Sequence, residues 1–133
     1  MIIAITGNIG SGKTTAAELF RNAGFSIINA DEIGHELYHV KRIKDKVIKK
    51  FGKRILTKAE IDRRKLKDIV FYDKKQLIAL NRIVHPEIVK EINRRIKKSR
   101  NKKIVVDAAL IVEFKFRNYD KLLLITIAGK EQI

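Results

Sequence analysis

Ile2-Ile3-Ala4-Ile5-Thr6-Gly7-Asn8-Ile9-Gly10-Ser11-Gly12-Lys13-Thr14-Thr15 opens the chain just after its first methionine, and how this stretch is read decides the fold. Its first part is a short, nearly continuous apolar run, the habit of a strand buried on both faces of a parallel sheet. From Gly7 to Thr14 it has the spacing of a Walker A phosphate-binding loop. A polyphosphate must be held without burying its charge unpaired, and inward-pointing backbone N–H groups at a helix N-terminus do this. The glycines permit the tight turn and close approach, Lys13 reaches the β and γ phosphates, and the Thr14 hydroxyl is placed to ligate Mg2+. The expected ATP-binding set is Asn8, Ile9, Gly10, Ser11, Gly12, Lys13, Thr14 and Thr15, with Lys13 also in a catalytic role and Thr14 as a metal ligand. Beyond Lys13, the apolar residues Ala16, Ala17, Leu19, Phe20 and Ala23 recur at helical spacing until Gly24. The stretch therefore predicts a strand, a loop and a helix.

Working outward, Phe25 to Ile28 reads as a second short strand, parallel to the first and ending at Asn29-Ala30-Asp31. From about Asp31 to Arg100 the pattern is helical without a convincing strand, broken near Gly52, at Thr57, before Lys74 and at Pro86. Asp73 is expected to cap the helix through Leu77, Leu80 and Val84. Pro86 is expected to open the next one, because proline's missing N–H costs nothing in a first turn. Strand character returns at Ile104-Val105-Val106-Asp107 and at Leu122 to Ile127. The sum is an α/β core of four strands with a basic helical insert at about 40–100.

At 133 residues the chain has room for one compact domain. Hydrophobic residues make up 45% of it, and no apolar run approaches the roughly 18 residues needed to cross a bilayer. The apolar start has no basic residue before it and runs straight into the loop, unlike a signal peptide. Cysteine is absent, which excludes disulfides, thiol nucleophiles and thiolate-held metals. A soluble, cytoplasmic protein with no membrane partner is expected.

The formal net charge is +15, and it is unevenly spread. Lys41 to Lys103 holds 24 Lys and Arg against 7 Asp and Glu, while the remainder holds 6 against 8. Such a surplus fits a phosphate-rich small substrate, a nucleic acid, or the Lys- and Ile-rich surface of a heat-adapted protein. Stacking on bases is disfavoured, because the only aromatics in that segment are Phe51, Phe71 and Tyr72, none set in a basic motif.

In an open parallel sheet, ligands sit off the carboxyl ends of the strands, so polar residues ending different strands converge. Asp31 and Asp107 both occupy such positions. An apolar run closing on Asp, as at Asp107, is the pattern of a carboxylate that holds Mg2+; an ordinary strand-end turn is the plainer reading. Asp31 can face the acceptor hydroxyl as a general base, or simply cap the helix that runs through Leu37.

With the loop, Asn29-Ala30-Asp31, Ile61-Asp62-Arg63, Val70-Phe71, Leu80-Asn81, His85-Pro86 and the stretch from Asp107 to Glu113 in order, the chain resembles dephospho-coenzyme A kinases. The resemblance implies a P-loop kinase-like three-layer core with a helical substrate-binding insert. It also implies ATP-dependent phosphorylation of the 3′-hydroxyl of dephospho-coenzyme A, the last step of coenzyme A biosynthesis, with ATP and dephospho-coenzyme A as partners and Mg2+ as cofactor. Carried over by position, Asp31 is the catalytic base, while Arg63, His85 and Asp107 join it as substrate-binding residues, Asp107 also serving the metal. His85 has a structural alternative as a packed residue before a proline, and Asp62 with Arg63 has one as a helix-start ion pair. The family's Asp-Val-Pro-Leu-Leu-Phe-Glu is Asp107-Ala108-Ala109-Leu110-Ile111-Val112-Glu113 here, and Asn29 stands where Asp is frequent. Members continue past the fourth strand into an arginine-bearing lid, whereas this sequence ends at Glu131-Gln132-Ile133. By the resemblance it is C-terminally incomplete and is expected to be a poor catalyst alone, since such arginines contribute about 10³ to 10⁵ in rate. Alternatives are another small-molecule or nucleotide kinase, a nucleotide-binding protein without efficient turnover, and a nucleic-acid-binding P-loop protein.

Overall fold

The described residues of the computed structural model are 1–7, 13–108 and 115–125, with 13–15 and 125 described by their backbone alone. In chain order they form β1 (Ile2–Gly7), α1 (Lys13–Asn22), β2 (Ser26–Asn29), α2 (Ala30–Leu37) and α3 (Lys41–Phe51). A 3-10 turn (Lys53–Ile55), β3 (Leu56–Thr57), β4 (Glu60–Ile61), α4 (Arg63–Phe71), α5 (Lys74–Lys98), β5 (Ile104–Asp107) and β6 (Lys121–Ile125) follow. The expected end of the last strand, Ile127, lies outside the described residues.

The main sheet has the order β2-β5-β1-β6 and every pairing in it is parallel. The strands alternate two apolar faces. Ile3 and Ile5 of β1 and Val105 of β5 pack with Ala17 of α1 on one side, joined by Phe20 and Phe25. Ala4, Ile28, Ile104 and Val106 point to the other side, into the core built by α2 to α5. The sheet is thus the middle of three layers, as a parallel sheet buried on both faces requires. Asn101 ties the chain entering β5 to the one entering β2: its side-chain N–H groups donate to the Gly24 carbonyl at 2.9 Å and the Ser26 hydroxyl at 3.1 Å. Gly24, at φ +93°, makes the left-handed turn that stops α1.

Two expectations for the helical region are corrected. The first is that it contains no strand: β3 and β4 pair antiparallel, Leu56 with Ile61 and Thr57 with Glu60. Their two-residue turn, Lys58 and Ala59, has φ of 53° and 65°, the double positive φ of a type I′ hairpin. Neither residue is Asn or Gly, so the usual sequence signal is missing.

The second correction is the break at Pro86, which lies inside a single 25-residue helix, α5. The buried residues Leu80, Val84, Glu87, Ile88 and Ile92 keep one helical stripe across the proline. Packing of that stripe against α2, α3 and α4 holds both halves in phase. Pro86 itself is on the exposed side, where solvent can serve the Arg82 carbonyl deprived of its N–H partner. The cap at Asp73 is present, its carboxylate accepting from the Lys75 N–H at 3.0 Å.

Candidate active site

Everything that converges on the carboxyl edge of the sheet does so because β2, β5 and β1 run parallel. The register sets Asn29, the last residue of β2, beside Asp107, the last of β5, and Asp107 beside Ile5 of β1. Asp107 is buried, with 6% of its surface exposed. β1, central in the sheet, ends at Gly7, and α1 begins at Lys13 with Thr14 and Thr15 next. The remaining ATP-binding residues expected from sequence, Asn8, Ile9, Gly10, Ser11 and Gly12, lie outside the described residues, as do Ala109 to Glu113 up to residue 114.

Asp31 does not cap α2. The Asn29 side chain accepts from the Glu32 N–H at 3.0 Å with extended backbone angles, which makes Asn29 the N-cap and Asp31 the second helical residue. The exposed Asp31 side chain instead lines a cavity of about 250 Å³ with His35 of the same helix, its C-cap residue Tyr38, and Asn81 and His85 from α5. Gly34 of α2 faces α5, where an added Cβ would stand in van der Waals contact, 3.4 Å from Ile88 Cδ1. Burial pushes the Tyr38 hydroxyl above its ordinary pKa, against an opposing pull from the Arg63 guanidinium.

Grooves open from both ends of this cavity. One, of about 660 Å³, shares His35, Tyr38 and Leu80 with it and runs along α4, lined by Arg63, Arg64, Lys67 and Asp68. The other, of about 590 Å³, shares Asn81 and His85 and follows α5 past Ile78, Arg82, Pro86 and Val89 to Lys115. Asp31 and His85 therefore meet in one cavity, Arg63 stands in the next, and Asp107 sits on the strand edge beside them. Asp62 is not paired to Arg63 as a helix-start ion pair. Its carboxylate accepts from the Arg64 and Lys65 N–H groups and the Thr57 hydroxyl, and these bonds hold its pKa below the usual carboxylate range, the hydroxyl most of all.

The supporting shell includes an ion pair invisible in the sequence. Arg42 of α3 donates through both terminal nitrogens to the carboxylate of Glu87, at 2.7 and 2.8 Å, one residue past Pro86. Glu87 is buried, and the Arg42 guanidinium holds its carboxyl below the ordinary range. His35, Tyr38, Arg64 and Lys67 were also not singled out from sequence. Asp31, His35 and Tyr38 are spaced four and three apart, the spacing of one helical face, and that periodicity was the available signal.

The chemistry of the donor set suits Mg2+. A buried carboxylate at a strand end and a hydroxyl at the start of α1 are hard oxygen donors, and Mg2+ is ordinarily held by one or two such groups with phosphate oxygens and water.

The dephospho-CoA kinase family model matches residues 1–133. The chain is 41% identical to the dephospho-CoA kinase of Aquifex aeolicus over 127 residues, covering 92% of this chain and 65% of that one. Its identity to the Fusobacterium nucleatum enzyme is 36% over 132 residues, covering 98% and 68%. A crystal structure from Thermus thermophilus superposes with a TM-score of 0.81 at 29% identity, over 95% of this chain and 65% of that one. A dephospho-CoA kinase structure from Campylobacter jejuni gives 0.67 at 30% identity, over 85% and 59%. The chain thus spans about two thirds of the length of the curated relatives it matches.

Proposed function

The chain belongs to the dephospho-CoA kinase family, and on that premise we propose that it carries the machinery for ATP-dependent phosphorylation of the 3′-hydroxyl of dephospho-coenzyme A. The observation that supports this most is the position of Asp31. It is relieved of capping by Asn29, exposed to a cavity shared with His85, and set two residues past the strand end that lies beside Asp107.

In this reading the 3′-oxygen of the acceptor attacks the γ-phosphorus of ATP. The bond from that phosphorus to the bridging oxygen breaks, ADP leaves, and the acceptor's hydroxyl proton passes to the Asp31 carboxylate. Lys13, with the loop Asn8, Ile9, Gly10, Ser11, Gly12, Thr14 and Thr15, binds the triphosphate. Thr14 and Asp107 would hold Mg2+, which would supply charge neutralisation for the transferring group. Arg63 and His85 position the acceptor, and the helical segment at about 40–100 forms the acceptor-binding insert of a single P-loop kinase domain. A cytoplasmic location goes with this reading. Among the described residues no helix is long and apolar enough to cross a membrane.

The test is an ADP-release assay with MgATP, comparing dephospho-coenzyme A with nucleoside monophosphates. Faster release with dephospho-coenzyme A, lost in Lys13→Ala, is the expected result. Preference for a monophosphate would move the chain to the nucleotide kinases.

A further inference from the structure

Among the described residues two charged side chains are buried, Asp107 and Glu87. Asp107 lies on the strand edge of the candidate site, but Glu87 lies in α5, in a buried stripe from Leu80 to Ile92 that is otherwise apolar. An aliphatic residue would fill that place without needing a partner, and a buried ion pair seldom adds net stability over well-packed apolar side chains. What the pair does supply is direction. The Arg42 guanidinium meets both carboxylate oxygens of Glu87, at 2.7 and 2.8 Å, and this planar two-point grip fixes the angle between α3 and α5 as well as their separation.

The place of the grip along α5 matters. Pro86 has no N–H for the Arg82 carbonyl, so the helix is one hydrogen bond short there and bends most easily at that point. Glu87 is the next residue. Both ion pairs that α5 makes with other helices among the described residues lie beyond the proline, Glu87 with Arg42 of α3 and Arg95 with Glu36 of α2. The second half of α5 is therefore staked to two helices, and the first half leaves it through the proline joint. That first half carries Asn81 and His85, which line the cavity with Asp31. A swing at Pro86 would change the gap between this side of the cavity and Asp31 on α2.

We propose that Arg42 is a positioning residue: by holding Glu87 at the first position past Pro86, it sets the bend of α5 and with it the placing of Asn81 and His85 against Asp31. Arg42 lines neither the cavity nor the two grooves beside it, so it acts through α5. The role rests on the family reading above, in which His85 meets the acceptor.

The joint is read first without activity, by amide hydrogen exchange in the isotope-labelled chain. Arg42→Ala/Glu87→Gln removes the grip without leaving a buried charge unpaired. The amides of Glu87, Ile88, Val89 and Lys90, which span the joint, should exchange roughly 10-fold faster, the equivalent of one lost charge-assisted hydrogen bond. Those of Ile3, Ile5 and Val105 in the sheet should stay within about 2-fold. With Pro86→Ala added, which restores the missing N–H, loss of the grip should move the joint amides by no more than about 2-fold. Arg42→Lys, a milder change that keeps the charge, should give the same pattern at about 3-fold. Equal acceleration in sheet and joint would leave the pair with general stabilisation only, and acceleration indifferent to Pro86 would mean that Arg42 does not control the joint; either overturns the proposal. In the ADP-release assay the double variant should raise the KM for dephospho-coenzyme A roughly 10-fold and leave the KM for ATP within about 2-fold. An unchanged KM for the acceptor beside a loosened joint would deny Arg42 its positioning role. A wild-type chain inactive on dephospho-coenzyme A would sink the proposed activity instead. Titration of the same variants with dephospho-coenzyme A, under saturating Mg2+ and a non-hydrolysable ATP analogue, should then show the same loss as weaker affinity, and no loss would overturn the role.

Discussion

At the scale of single residues, the decisive event is a competition between Asn29 and Asp31 for the start of α2. Both are good capping residues, and Asn29 takes the role because it is the last residue of β2 and still has extended backbone angles. Asp31, already helical, keeps its carboxylate for the cavity. Replacing Asp31 with Asn preserves shape and removes the proposed base, so kcat for dephospho-coenzyme A should fall by about 10² or more while the KM for ATP changes little. A kcat within a few-fold of wild type in the same ADP-release assay would leave Asp31 without a chemical role. Asp31 is marked in the sequence by its place just past a strand end, whereas Arg63 and His85 enter only through the family resemblance. Nothing in the sequence marks Arg64 and Lys67, because only the fold brings them into one groove with Tyr38 and Asp68, and thirty Lys and Arg residues in the chain hide them.

Among the elements, local pattern succeeded wherever local chemistry was strong. The run before Gly7, the stop at Gly24 and the cap at Asp73 all rest on interactions within a few residues, whereas Asp62, open to an ion pair with Arg63, caps α4 instead. It failed where distant packing or strained backbone decides. Pro86 argues for a break, yet the buried stripe from Leu80 to Ile92 gains more from staying in phase than the helix loses at one exposed carbonyl. The β3–β4 hairpin is the opposite case, a turn closed by residues that dislike its geometry. Ala59 at φ 65° carries a steric penalty that glycine lacks. Ala59→Gly should therefore stabilise the protein by about 1 kcal/mol, seen as a higher urea midpoint at unchanged slope. An unchanged or lower midpoint would mean that the turn is relaxed in solution.

For the molecule as a whole, charge and chain order dominate. Glu60, Asp62, Glu87 and Glu91 all have folded-state pKa values below their ordinary ones, Glu91 down to about 2 through its contact with Arg94 first. The folded state thus binds fewer protons than the unfolded chain, and the stability these groups supply is present above about pH 4.5 and lost on acidification toward pH 2. Each protonation also adds to a net charge of +15. The melting temperature should fall steadily from pH 5 to pH 2, and 0.2 M salt, at roughly a 7 Å screening length, should restore part of the loss. A flat profile would show that these ion pairs persist on unfolding. The sheet order has a further consequence, in time rather than in space. β1 is made first, yet its neighbours are β5 at Ile104–Asp107 and β6 at Lys121–Ile125. At about 5–20 residues per second, a ribosome needs roughly 5–20 seconds to supply the first of them. Throughout that interval Ile2-Ile3-Ala4-Ile5 is a nascent strand with both edges open, while the helices between can already assemble from near neighbours. The apolar run that ends up inside the finished sheet is thus, during synthesis, the segment most in need of a chaperone's shelter.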